Sequence, residues 1–136
     1  MVQNLCTHFS PPLVTIEVPD TGLHVEATNH TYHPFPSPSA LAHPSVAAKL
    51  RGLGFGYRAE YIQKTAAMLL KSHGSDESVH MWLESLRRTS TAESRTELLK
   101  LVGVGRKVAD CILLMSLDKV RGYNSLMYVL LLLNLW

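Results

Sequence analysis

Lys107 and Cys111 are the residues best suited to chemistry, four apart and so on one face of any helix that holds both. Just before them runs Leu101-Val102-Gly103-Val104-Gly105-Arg106. Two glycines one residue apart let the chain turn sharply and let its backbone approach a ligand with no Cβ in the way. A helix beginning near Lys107 presents its first N–H groups outward, where they and the helix dipole favour an anion, and Arg106 and Lys107 add positive charge. That pattern predicts a phosphate seat. The same dipole disfavours an ammonium at Lys107, and partial burial would add to the effect, favouring a neutral amine. Neutral amines attack electrophilic carbon and form Schiff bases. In a module without catalysis the same lysine would simply contact a phosphate.

A second candidate is Gly54-Phe55-Gly56-Tyr57-Arg58. An aromatic ring and an arginine at a helix start can wedge into a base stack and contact the partner that an extruded base leaves behind. The alternative is that Tyr57 packs into the core and Arg58 lies on a solvated face.

The elements that position these residues are mostly helical by pattern. Val2, Leu5, Cys6 and Phe9 share one helical face. Residues 10–36 are proline-rich and read mainly as loop; Leu13 to Val18 has β-branched strand character, but a strand without a partner is marginal. Ser37 or Ser39 can cap a short helix, and Ser45 to Leu53 a second, ended by Gly54. A long helix follows from Tyr57 to about Ser72, with Ile62, Thr65, Ala66 and Leu69 inward and Gly74 as terminator. Val79, Trp82, Leu83 and Leu86 make an amphipathic helix ending in Arg87-Arg88, and Ser90 with Glu93 has capping-box spacing for the helix that enters the glycine turn. Beyond the turn, Val108, Ile112 and Met115 are expected to face the core.

Composition limits the partners and the chemistry. The 136-residue chain is 46% hydrophobic and 18% charged with a formal charge of +2, so affinity for nucleic acid must come from local clusters rather than the net field. Cys6 and Cys111 lie in no metal-spaced array and are expected as thiols. The apolar run Met127 to Trp136 is shorter than the roughly twenty residues a bilayer span needs, so no membrane partner is expected.

Helix, apolar-x-Gly-apolar-Gly, helix resembles the helix-hairpin-helix DNA-binding motif. The longer stretch Gly103-Val104-Gly105-Arg106-Lys107-Val108-Ala109-Asp110-Cys111-Ile112 through Asp118-Lys119, with Gly54-Phe55-Gly56-Tyr57-Arg58-Ala59, is similar to the eukaryotic 8-oxoguanine DNA glycosylases. The resemblance covers about residues 31–119 and the first nine. It implies an all-α helix-hairpin-helix glycosylase domain, incomplete at both ends: 1–9 as the end of an interior helix, 10–36 a loop or insertion, 37–119 the core, 120–136 a divergent apolar tail.

The resemblance also implies a mechanism. Lys107 attacks C1′ of a flipped-out damaged nucleotide, and the Schiff base permits strand cleavage by β-elimination. Cys111 lines the base pocket. The amides of Gly103, Gly105 and Val108 hold a phosphate, while Tyr57 wedges the duplex and Arg58 contacts the estranged cytosine. Main-chain carbonyls of Leu99, Leu101 and Val104 would hold a monovalent cation. No cofactor is implied. The partner is damaged double-stranded DNA, the chain a monomer, and the location the nucleus, with a mitochondrial form as the alternative.

The resemblance stops after Lys119. Val120-Arg121-Gly122 stands where the family continues into a Pro-Val-Asp segment whose aspartate assists attack at C1′, as a read-through splice donor would produce. Impaired base excision is therefore expected. The competing readings are a non-catalytic DNA-binding module and a non-productive splice product.

Overall fold

The computed structural model describes residues 2–17 and 29–119. The divergent tail from Val120, and residues 18–28 of the 10–36 segment, lie outside the described residues. The elements run α1 (Val2–Phe9), β1 (Val14–Glu17), β2 (Asn29–Tyr32), α2 (Pro38–Leu41), α3 (Val46–Gly52), α4 (Arg58–His73), α5 (Asp76–Arg88), α6 (Thr91–Leu98) and α7 (Arg106–Met115). Contacts divide the chain into two units, Met1–Asp76 and Glu77–Trp136.

In the first unit, α4 packs on α2 and α3. Leu5, Leu41, Val46, Leu50, Phe55, Ala59 and Ala66 are buried together, with Cys6, Phe9 and Ile62 packed against them. The Ser37 hydroxyl accepts from the Ala40 amide at 3.3 Å and Pro38 occupies the first turn, so α2 starts where its cap and its proline dictate. One expectation needs correction. The loop reading of residues 10–36 rested on a strand lacking a partner, and β1 has one: it pairs antiparallel with β2, Val14 opposite Tyr32 and Thr15 opposite Thr31. Thr15 and Thr31 also pair through their hydroxyls at 3.2 Å. The partner is easy to miss, because Asn29-His30-Thr31-Tyr32 is polar and short.

In the second unit, Leu86, Leu98, Ala109, Leu113 and Leu117 are buried, with Trp82, Leu101, Val104 and Ile112 packed against them. The Ser90–Glu93 capping box forms at the head of α6 in both directions: the Ser90 hydroxyl accepts from the Glu93 amide at 3.2 Å, and the Glu93 carboxylate accepts from the Ser90 amide at 3.0 Å. The Ser90 hydroxyl, donating to the Glu93 carboxylate at 2.8 Å, and then the Ser90 amide hold that carboxyl below its ordinary 4.5. Ser94 is fully buried; its hydroxyl donates to the Leu86 carbonyl at 2.9 Å and pairs with the Thr89 hydroxyl at 2.7 Å, linking the start of α6 to the end of α5.

Candidate nucleic-acid interface

The glycine turn is built from outside in. Leu101 and Val104, its apolar members, are drawn onto the second-unit core. Lys100, Leu101 and Val104 donate their amides to the carbonyls of Glu97, Leu98 and Leu101 at 3.1–3.2 Å, so α6 unwinds through tight three-residue turns. Gly103 then takes φ +78°, where a side chain would be strained. With the apolar residues anchored, Gly103 and Gly105 are left exposed at the rim.

Gly105 is the N-cap of α7 at φ −87° and ψ 178°, backbone open to any residue, and a Cβ built there meets nothing within 4 Å. Neither conformation nor packing requires glycine at this position. No side chain caps α7, and its first intrahelical bond runs from the Ala109 amide to the Gly105 carbonyl at 2.9 Å, so the Val108 amide belongs to the uncapped first turn. Arg106, Lys107 and Val108 are exposed there.

Two expectations for α7 change. Lys107 is exposed rather than partly buried, so the placement of its amine follows from its position on the first turn and not from an apolar pocket in the described chain. The buried face is Ala109–Leu113, with Ile112 beside it, whereas Val108 is 45% and Met115 69% exposed. Next to buried Ala109, Asp110 pairs with Arg95 of α6 at 2.7 Å. Cys111 is a half-buried free thiol, one turn on from Lys107. Of the three carbonyls expected to hold a cation, that of Leu101 accepts from the Val104 amide at 3.2 Å, which uses one of its two lone pairs.

The second motif sits in the first unit. At the end of α3, Gly54 takes φ +87°, donating to the Arg51 carbonyl at 3.0 Å, and Phe55 donates to the Leu50 carbonyl at 3.1 Å. This is a Schellman close, completed by apolar burial of Phe55 and Leu50 in one core. Gly56, again at positive φ (+55°), then turns the chain so that Phe55 points in and Tyr57 out. Tyr57 is 69% exposed, against the core reading for this ring. It meets Tyr61 edge to face, centroids 5.8 Å apart, and the Arg58 guanidinium lies 5.5 Å from its centroid.

Tyr61 carries no signal in the Gly-x-Gly-Tyr-Arg motif itself. The spacing Tyr57, Glu60, Tyr61, Lys64 would have found it, because i, i+3, i+4 and i+7 place all four on one outward stripe of α4. Glu60 is held between two cations, Arg51 on one oxygen and Lys64 at 3.2 Å on the other. The bond from Lys64, and then the charges of Lys64 and Arg51, hold its carboxyl below the ordinary 4.5.

Known proteins resemble the chain in sequence and in fold. No protein-family model matches the chain. The N-glycosylase/DNA lyase of Saccharomyces cerevisiae is 38% identical over 120 residues, covering 86% of this chain and 29% of that protein. The N-glycosylase/DNA lyase OGG1 of Arabidopsis thaliana is 42% identical over 104 residues, 75% of this chain and 27% of that protein. Among solved structures, MBOgg1 in complex with a low-affinity DNA ligand aligns with a TM-score of 0.60 at 29% identity, over 85% of this chain and 33% of that one. The Clostridium acetobutylicum 8-oxoguanine glycosylase/lyase, in complex with double-stranded DNA containing cytosine opposite 8-oxoG, aligns with a TM-score of 0.62 at 24% identity, covering 87% and 34%, and speaks for the fold alone. The chain spans less than a third of the length of these two curated relatives.

Proposed function

The chain belongs to the 8-oxoguanine N-glycosylase/DNA lyase family, and from that premise we propose that it acts on damaged duplex DNA through the α6–α7 turn. One observation carries the reading: an exposed lysine on the uncapped first turn of a helix entered through a glycine whose backbone and surroundings would accept any side chain. A glycine kept where neither strain nor packing asks for it fits a close backbone approach by a ligand.

In this reading a phosphate is held by the amides of Gly103, Gly105 and Val108, with Arg106 adding charge. Lys107 is the nucleophile. Its amine forms a bond to C1′ of the target deoxyribose as the bond to 8-oxoguanine breaks, and the base departs with the electron pair and takes up a proton. The amine then loses a proton and the C1′–O4′ bond breaks, O4′ taking up a proton, so that the sugar opens to a Schiff base; this acidifies the neighbouring C2′ proton, whose loss expels the phosphate from C3′. Cys111, on the next turn, would border the base pocket. A monovalent cation on the carbonyls of Leu99, Leu101 and Val104 would stiffen the turn. Tyr57 and Arg58 would fill and read the gap opposite the extruded base. The site of action would be nuclear.

Trapping with borohydride tests this, since reduction fixes a lysine Schiff base as a stable adduct. Duplexes carrying 8-oxoguanine opposite cytosine, or an abasic site, are incubated with the wild type and with Lys107→Gln. An adduct on the abasic site that disappears in Lys107→Gln is expected. Salt-sensitive binding of intact duplex with no adduct on either substrate would replace the enzyme by a DNA-binding module.

A further inference from the structure

Glu60 has no place in the reaction above, yet it lies on the same outward stripe of α4 as Tyr57. Its carboxylate bridges two cations from different helices, Arg51 of α3 on Oε1 and Lys64 of α4 on Oε2. All three are well exposed, with side-chain accessibilities of 52% for Arg51, 43% for Glu60 and 56% for Lys64. An arginine and a lysine converging on two oxygens of one anion is also how proteins grip a phosphate. We infer that Arg51 and Lys64 form a binding site for a nucleic-acid phosphate, which Glu60 occupies in the free chain as an internal stand-in for that phosphate. The inference rests on the DNA-binding reading above.

Three features support it. Exposed ion pairs contribute little to folding, so this cluster is easy for an incoming phosphate to open. The site adjoins Tyr57 and Tyr61 on one helix face, where a wedge in the base stack brings the backbone alongside. The chain's small net charge of +2 makes each local cation count in any DNA contact. Glu60 thus sets affinity: it holds two cations back until a phosphate displaces it, which disfavours loose binding to duplex in which Tyr57 is not inserted.

The test is the salt dependence of duplex binding by the full chain, measured by fluorescence anisotropy with Glu60→Gln and Glu60→Ser. Glu84→Gln, which removes an exposed carboxylate on α5, controls for net charge. Freeing the two cations for one phosphate should tighten binding several-fold at low salt and steepen the slope of log affinity against log salt by about 0.9. Adding Arg51→Gln and Lys64→Gln to Glu60→Gln should abolish that gain, and Glu84→Gln should leave the slope unchanged. If the wild type binds and the Glu60 variants keep its slope, or if Glu84→Gln steepens it equally, the phosphate site is refuted and the DNA reading stands. If no variant binds any duplex, the DNA reading fails and takes the site with it.

Discussion

Arg95 Nε lies 2.7 Å from Asp110 Oδ1, an ion pair with side chains only 35% and 22% exposed that fastens α6 to α7 behind the glycine turn. The turn itself is held by a few backbone bonds, so the angle at which Lys107 leaves the surface depends on this brace. Asp110→Ala should lower stability by about 1–3 kcal/mol, the range for a charged hydrogen bond that loses one partner, as read from the urea midpoint. Under conditions where the variant is still folded, the yield of Lys107 adduct on abasic DNA should fall as well.

The two hairpin glycines should respond differently to alanine. Gly103 sits at φ +78°, so Gly103→Ala strains the backbone and should destabilise by about 1 kcal/mol or more. Gly105 sits at φ −87° in open space, so Gly105→Ala should leave the unfolding midpoint within about 0.5 kcal/mol of wild type while weakening duplex binding. Equal binding by wild type and Gly105→Ala would remove the main support for a phosphate at this turn.

Much of this was legible in the residues. The Ser90–Glu93 box, the stop at Gly54 and the glycine turn are local devices, each specified by side chains within three or four positions, and each formed where the pattern placed it. Facing directions were less legible, because they depend on partners distant in sequence. Val108 and Met115 fit an apolar stripe, yet small Ala109 packs inward instead, and its neighbour Asp110 pairs with Arg95 of the preceding helix. The β1–β2 pairing escaped for the same reason: polar β2 looks like a strand only once β1 is beside it. The Arg51–Glu60–Lys64 cluster joins two helices, and only its Glu60–Lys64 half follows from spacing.

Tyr57 should matter to DNA and hardly at all to the fold. Its ring is exposed and touches Tyr61 and Arg58, so Tyr57→Ala should change stability by no more than about 0.5 kcal/mol. Loss of an aromatic that stacks on bases costs about 1–3 kcal/mol of binding, a drop of roughly five- to more than a hundred-fold. That loss should appear with duplex carrying an abasic site and be much smaller with intact duplex. An equal loss on both would place Tyr57 on the backbone rather than in the stack.

Acid should loosen the chain through carboxylates that the fold holds ionised. Asp76 accepts from the Ser39 amide at 2.8 Å and the Ser39 hydroxyl at 2.5 Å, and these bonds hold its carboxyl below the ordinary 3.8; Glu93 is held below 4.5 by Ser90. A carboxyl whose folded pKa is depressed stabilises the fold fully above its unfolded value and loses that contribution as pH falls through the folded one. The urea midpoint should therefore be flat above about pH 5 and decline below it. Asp76→Asn should lower the midpoint at neutral pH and flatten part of the decline.

Lys119 closes the second unit from its far end. Its side chain is buried, and Nζ donates to the carbonyls of Arg87, at 3.2 Å, and Thr89, where α5 runs out of internal donors. Asp118 reaches this position at φ +53°, a costly conformation for a residue other than glycine, and the Lys119 amide is anchored on the Leu113 carbonyl at 2.9 Å. Arg87 answers from the other side, its Nη2 donating to the Ser116 carbonyl at 3.0 Å. The end of α5 and the end of α7 thus clasp each other in both directions. Lys119→Met preserves the apolar stem but strands two carbonyls and should destabilise by about 1–3 kcal/mol, whereas Arg87→Ala, on an exposed side chain, should cost less. Because the two side chains share one junction, the double variant should lose less than the sum of the two single losses in urea unfolding. Strict additivity would show that the two side chains hold independently and that the clasp is not a unit.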